Sequence, residues 1–281
     1  MEISAHAKLN LLLNVIGKKY NGYHSLETVM CPLELHDKII VNVLENSDKI
    51  TISTNNNKIP TDETNILYKC ANLFQEKFSI NDGFEIFIDK KIPLFSGLGG
   101  ESTDAAALMR FYNVYYNLKL NYSDIFYLGR LLGWDVPICY FNKCIYINDI
   151  KSVNEFVEMK YNYYILLIQP NYGISTKEAF TNIDKTTNIT KSPIPLIDLL
   201  INNDNIITEN IHNCFINADK RLVKDFNQLK EYCNILNFDG ISMTGTGSCF
   251  YFITKNKNIA NNGFGILRKK YPYVELTKTL I

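Results

Sequence analysis

The stretch Pro93-Leu-Phe-Ser-Gly-Leu-Gly-Gly-Glu-Ser-Thr-Asp-Ala-Ala-Ala107 decides how the chain is read. Gly97, Gly99 and Gly100 crowd together, Ser102 and Thr103 follow, and Asp104 opens a run of strong helix formers. Upstream, Phe84-Glu-Ile-Phe-Ile-Asp89 is apolar and alternating and reads as a strand. The local order is strand, glycine loop, helix. A helix N-terminus leaves backbone N–H groups without helical partners and carries partial positive charge, which favours an anion. Glycine lets the backbone approach that anion and take positive φ. The stretch therefore reads either as a phosphate cradle or as an ordinary capped turn. Two common phosphate loops are excluded. No Gly-Lys-Ser/Thr is present, and Ser102 stands where a dinucleotide fingerprint needs its third glycine.

Working outward, 281 residues suffice for one large or two medium domains with a sizeable core. The net charge of +0 argues against general affinity for nucleic acid or an anionic membrane, so an anionic ligand must be met by local potential. Seven cysteines are scattered without a Cys-x-x-Cys pair, and the histidines form no ligand pattern near them; free thiols in a reducing compartment are expected. Residues 1–10 lack a basic segment followed by an apolar one, and no apolar run approaches the roughly 20 residues that span a bilayer. The expectation is a cytoplasmic protein with neither nucleic-acid nor membrane partners, monomeric or a weak homodimer.

From Ile3 to Ile16 the chain is mostly apolar, with Lys8, Asn10 and Asn14 at even spacing. As a strand this puts Lys8, Asn10, Leu12 and Asn14 on one face, which is costly unless they are paired or line a cleft; an edge strand with a solvated face is the alternative. Residues 17–22 read as a turn. Residues 38–44 and 49–53 alternate as a hairpin. Thr64 to Phe78 shows helical spacing with Asn65 at its start, in a capping position. Helices are expected at 104–118 and 123–132, the second ended by Gly133. Pro137 pushes Val136 toward extended geometry, which sets Asp135 at a helix-to-extended break. Strands are expected at 144–148 and 163–169, a long loop with a short helix over 182–205, and a helix over 218–233. A second glycine-rich bend, Gly240 to Ser248, leads into a strand over 249–254, and a helix (260–271) and strand (273–278) close the chain. A composition break near 150–162 suggests two parts.

Four separated features then point one way: Ala7-Lys8-Leu9-Asn10, the loop 93–107, Leu132-Gly-Trp-Asp-Val-Pro137 and Thr244-Gly-Thr-Gly247. Together they resemble the superfamily of galactokinase, homoserine kinase, mevalonate kinase and phosphomevalonate kinase. Within it, Gly22-Tyr-His-x-Leu-x-Thr28 is similar to the branch that acts on 4-diphosphocytidyl-2-C-methyl-D-erythritol. The resemblance runs in unchanged order from about Ala5 to Phe252. It implies an α+β fold of two domains: a ribosomal-protein-S5-like domain over 1–158 and a ferredoxin-like domain over 159–281, with ATP and the small-molecule substrate meeting in the cleft between them.

The resemblance also implies roles. Lys8 and Asp135 match the active-site lysine and aspartate, and Asn10 a substrate-contacting asparagine. Tyr23 and His24 match the pair that stacks on and hydrogen-bonds cytosine, with Phe180 as the second stacking ring and Thr176 near a substrate-contacting hydroxyl. Asn65 and Lys90 match positions lining the nucleotide. The ATP loop would comprise Pro93, Leu94, Phe95, Ser96, Gly97, Leu98, Gly99, Gly100, Glu101, Ser102 and Thr103; Gly245 and Gly247 belong to the C-terminal glycine loop. ATP with Mg²⁺ is expected, and no protein ligand for the metal is assigned. The residue types suit phosphoryl transfer, which needs positioning and charge stabilisation, with Asp135 as general base and Lys8 holding it ionised. Glu101 departs from the family pattern, which has glycine there; Phe95 and Ser96 replace glycine or alanine. The stretch Asn210-Ile-His-Asn-Cys-Phe215 departs from an acidic pattern and receives no role. Two rivals differ by sequence features. A homoserine or mevalonate kinase would have no base to stack on Tyr23 and Phe180; a non-catalytic binding protein on the same fold is opposed by zero net charge if it were an RNA binder and by the retention of Lys8 and Asp135 if it were a degenerate kinase.

Overall fold

The computed structural model describes all residues except Lys19, Asn21, Thr187, Asn188, Asn203, Asn205 and Ile207. Parts of the expected turn at 17–22 and of the expected loop over 182–205 thus lie outside the described residues. The interrupted apolar run near the N-terminus forms β1 (Glu2–Lys18), and β2 (His24–Leu44) follows it. Contacts divide the chain into two compact units: Met1–Ala7, Leu35–Pro93 and Gly99–Asn142 in the first, and Lys8–Glu34, Leu94–Leu98 and Lys143–Ile281 in the second. Both β1 and β2 contribute residues to each unit. No single cut in the sequence, near 158 or elsewhere, separates them.

The first unit contains β3 (Ile50–Thr54), α1 (Ile66–Phe78), β4 (Gly83–Asp89), α2 (Gly100–Tyr115), α3 (Tyr122–Leu132) and α4 (Val136–Tyr140). The hairpin expected from 38–44 and 49–53 does not form. β4 lies between the two, antiparallel to β2 from Lys38↔Asp89 to Leu44↔Gly83 and parallel to β3 from Ile50↔Phe84. The reason is the connection: α1 provides the long crossover that parallel pairing needs, and both edges of β4 are satisfied. Asn65 caps α1, with its side-chain oxygen accepting from Leu67 N at 2.8 Å. The apolar faces of α1, α2 and β4 meet in a core where Tyr112 stacks on Phe74 (4.8 Å between ring centroids) and receives Phe84 edge-on (5.0 Å).

The geometry around Pro137 also differs from expectation. Asp135 (φ −81°, ψ −17°) is the N-cap residue of α4, and Val136 and Pro137 are its first helical residues. Proline suits a first turn, because its fixed φ is helical and its missing N–H has no helical acceptor to lose.

The second unit carries β5 (Ile145–Asn148), β6 (Val153–Phe156), β7 (Tyr164–Gln169), α5 (Thr176–Ile183), α6 (Ile194–Asn202), β8 (His212–Asn213), α7 (Lys220–Ile235), β9 (Gly240–Met243), β10 (Phe250–Thr254), α8 (Lys257–Leu267) and β11 (Tyr273–Lys278). β5 pairs with Glu27–Met30 of β2, and β8 runs parallel to β1 at Leu12↔His212 and Leu13↔Asn213. The four-stranded sheet has the order β11-β7-β10-β9, all antiparallel neighbours. Counted in chain order this is four, one, three, two, the ferredoxin-like arrangement. Its central strands β7 and β10 are buried almost throughout, which is why they read as continuous apolar runs. α5 escapes sequence reading because only Ala179 and Ile183 are buried in its eight residues. No helix among the described residues is long and apolar enough to cross a membrane.

Candidate active site

In the first unit the chemistry gathers at the start of α2. Gly99 (φ 73°) is its N-cap and supplies no side-chain cap to this 16-residue helix. The first turn therefore offers backbone N–H groups and the positive end of the dipole. Beneath it lies a buried cation: a Cβ added to Gly100 would stand 2.8 Å from Lys90 Nζ. That ammonium is 2.6 Å from Asp37 Oδ2 and 2.7 Å from Asp104 Oδ2. Asp37 Oδ1 in turn accepts from the N–H groups of Lys91 (2.5 Å) and Ile92 (2.8 Å). Burial pulls Lys90 down, but the carboxylates of Asp104 and Asp37 outweigh it and hold the ammonium above its ordinary value. Burial pushes the Asp104 carboxyl well above its ordinary range against the pull of Lys90. Lys90 thus supports the α2 turn from inside rather than from an open surface. Glu101 is exposed in that turn, where the dipole favours a carboxylate.

Asp135 belongs to the same unit and is fixed through its neighbours. A Cβ on Gly133 would lie 3.9 Å from Ser102 Oγ, so the α3–α4 corner runs beside the α2 turn. A Cβ on Gly129 would meet Pro137 N at 2.8 Å, and only glycine allows α3 and α4 so close. Partly buried Arg110 donates to the carbonyls of Cys139 and Tyr140 (3.1 Å each) and Ser4 (2.9 Å), which ties down the end of α4. Arg130 holds the Trp134 carbonyl at 3.1 Å and stacks over its ring. Asn65 spends its amide locally, on Leu67 N and on the Pro60 carbonyl at 2.6 Å.

In the second unit, Lys8 Nζ donates to Asn10 Oδ1 at 2.7 Å. The same oxygen accepts from Gly245 N at 3.0 Å, while Asn10 Nδ2 donates to Thr28 Oγ1 at 2.9 Å. Asn10 therefore couples Lys8 to the C-terminal glycine loop. That loop packs directly on residues 94–98. A Cβ on Gly97 (φ +77°) would stand 2.2 Å from the Thr244 carbonyl oxygen, and one on Gly245 (φ +55°) 2.7 Å from that of Gly97. Ser248 N and Cys249 N donate to the carbonyls of Phe95 (3.2 Å) and Ser96 (3.1 Å), and Leu98 O accepts from Lys8 N at 2.9 Å. Gln169 Nε2 holds the Leu94 carbonyl at 3.1 Å. The two glycine stretches are one structure here, with their backbones in contact. Gly247 (φ +89°) faces the Met243 sulfur, and Pro93, the last residue before this segment, falls in the first unit.

The same unit holds the aromatic group expected to bind a base. Tyr23 is exposed, His24 has a largely buried side chain, and the His24 ring stacks on Phe180 (4.9 Å, 26°). Phe180 also meets Phe215 edge to face at 4.9 Å. His24 Nε2 lies 2.6 Å from Asp184 Oδ1, and Lys18 Nζ 2.6 Å from Asp184 Oδ2. Thr176 is exposed at the start of α5. One face of Phe180 is thus covered by His24, whereas Tyr23 leaves ring surface open.

Comparison with known proteins follows the same line. The family model of the GHMP kinases N terminal domain matches residues 65–143. A 4-diphosphocytidyl-2-C-methyl-D-erythritol kinase of Clostridium tetani is 34% identical over 289 residues, covering 100% of each chain. One of Clostridium beijerinckii is 31% identical over 286 residues with the same coverage. The chain belongs to the 4-diphosphocytidyl-2-C-methyl-D-erythritol kinase family. A solved structure of 4-(cytidine 5'-diphospho)-2C-methyl-D-erythritol kinase agrees in fold, with a TM-score of 0.83 over 99% of each chain at 23% identity.

Within this kinase chain several positions carry the site that sequence reading passed over. Asn213, in the stretch that received no role, donates to the carbonyls of Met243 (2.7 Å) and Gly245 (2.8 Å) and accepts from Phe215 N at 2.9 Å. It clamps the C-terminal glycine loop from below. A lone asparagine in an apolar stretch gives no sign of that. Asp37 and Asp104 were likewise silent, since their partner Lys90 is remote in sequence. Asp184 could have been noticed: it stands four residues after Phe180, on the same helical face.

Proposed function

We propose that the chain transfers the γ-phosphoryl group of ATP to the 2-hydroxyl of 4-diphosphocytidyl-2-C-methyl-D-erythritol, a step of non-mevalonate isoprenoid precursor synthesis. The likeness to curated kinases over the whole chain supports the substrate. The observation that carries the chemistry is the uncapped first turn of α2 resting on a buried lysine. Such a turn fits a phosphate, and Gly99, which carries no side chain, leaves it room to approach. ATP would supply the phosphoryl group, and Mg²⁺ would neutralise its oxygens. Mg²⁺ needs only one or two protein carboxylates besides phosphate and water, and on this turn Glu101 is the exposed one. Asp135 accepts the proton of the attacking hydroxyl. Lys8, oriented by Asn10, stabilises the charge that develops on the transferred group. Tyr23 stacks on the cytosine and His24 addresses its polar edge.

The test is an ATP-consumption assay with the cytidyl-methylerythritol substrate beside homoserine and mevalonate. Turnover is expected only with the first. Asp135→Asn should bind ATP normally and lower kcat at least about a hundredfold; near-normal turnover would remove Asp135 as the base.

A further inference from the structure

We infer that Asp184, with Lys18, fixes which ring nitrogen His24 presents to the base and so makes the site select cytosine over uracil. The inference rests on the kinase reading above and adds a specificity residue to it. Phe180 and Asp184 are four residues apart at the end of α5, with Asp184 as its C-cap. Both address the same imidazole: the Phe180 ring covers its face at 4.9 Å, and the Asp184 carboxylate meets Nε2 at 2.6 Å. One helical face therefore sets both the plane and the rotation of the His24 ring, and among the described residues Nδ1 is left as its uncommitted polar atom.

The direction of that hydrogen bond settles the tautomer. The hydrogen bond from Lys18, and then that from His24, hold the Asp184 carboxyl below its ordinary value, so it is ionised and only accepts. Nε2 must then carry a proton. Lys18 Nζ meets the other oxygen of the same carboxylate at 2.6 Å. A neutral ring with its proton on Nε2 leaves Nδ1 as a bare acceptor. The exocyclic amino group of cytosine can donate to it. Uracil places a carbonyl oxygen at the same position and would set lone pair against lone pair. A polar group left unpaired in this way is a strong means of rejection.

The experiment compares the kinase on the cytidine substrate and on its uridine counterpart, in wild type and Asp184→Asn. Asparagine offers His24 either a donor or an acceptor and so releases the tautomer. The cytidine-to-uridine ratio of kcat/KM should fall by about tenfold, through KM of the cytidine substrate. The KM for ATP, kcat on the cytidine substrate and the melting temperature should stay near wild type. The ¹⁵N spectrum of the wild-type ring should show protonation at Nε2 alone. An unchanged ratio, or a ring protonated at Nδ1 alone or at both nitrogens, overturns the proposal. Equal losses on both substrates with a lowered melting temperature overturn it too, because Asp184 would then be structural. A wild type inactive on the cytidine substrate refutes the kinase reading and this proposal with it, whereas normal activity with unchanged selectivity refutes this proposal alone.

Discussion

Asp37, Lys90 and Asp104 set two carboxylates on one ammonium, with every side chain no more than 4% exposed. Removing Lys90 would leave the buried Asp37 carboxylate without its cation, which generally costs about 3–5 kcal/mol. The carboxylates are not equivalent. Asp37 receives two backbone N–H groups as well as the ammonium. Asp104 Oδ1 is buried without a hydrogen-bond partner among the described residues, and burial raises this carboxyl well above 3.8. A raised carboxyl means that, above the ordinary value, the folded protein keeps a proton that the unfolded chain releases. Stability should therefore fall as pH rises from about 4 through the raised value. Asp104→Asn keeps the shape and removes the titration, so its melting temperature should vary less with pH across that window. Circular dichroism melts between pH 4 and 7 would show this; identical slopes would place the extra proton elsewhere.

At the scale of elements, the loop at 94–98 and the bend at 244–248 behave as one piece. Gly97 and Gly245 combine positive φ with backbone contact, so an added Cβ meets an oxygen that cannot swing aside. Gly22 has the same handedness (φ +83°), but among the described residues nothing lies within 4 Å of an added Cβ. Its replacement costs only the left-handed strain, about 1–2 kcal/mol. Gly97→Ala and Gly245→Ala should each cost clearly more than Gly22→Ala in urea unfolding and should weaken ATP binding; comparable costs would mean that the contact relaxes freely. The glycines were visible in the sequence, but their reason was not. They read as room for an anion, whereas at Gly97 and Gly245 the room is taken by each other. Strand pairing had the same limit: alternation marked 38–44 and 49–53 as strands, yet which strand lies between them depends on a crossover helix that no local pattern announces.

For the whole molecule, the motifs and their order carried the fold further than periodicity did. Lys8-Leu-Asn10, the glycine loop and the Asp135 corner named a kinase architecture. The interleaving of the two units stayed hidden, because it depends on two long strands shared between them. A ligand that binds only the native arrangement stabilises it, since the unfolded chain lacks the α2 turn, the Asn10 coupling and the His24 clamp alike. ATP at a hundred times its dissociation constant should add about 2.7 kcal/mol to the native state, which raises the melting temperature by roughly 5 °C or more for a chain of this size. Asp135→Asn should show the same rise, because the role proposed for the aspartate is on the acceptor hydroxyl and not on the nucleotide. Calorimetry with and without ATP decides it: no rise in wild type would deny ATP binding, and a rise lost in Asp135→Asn would make that carboxylate part of the nucleotide site.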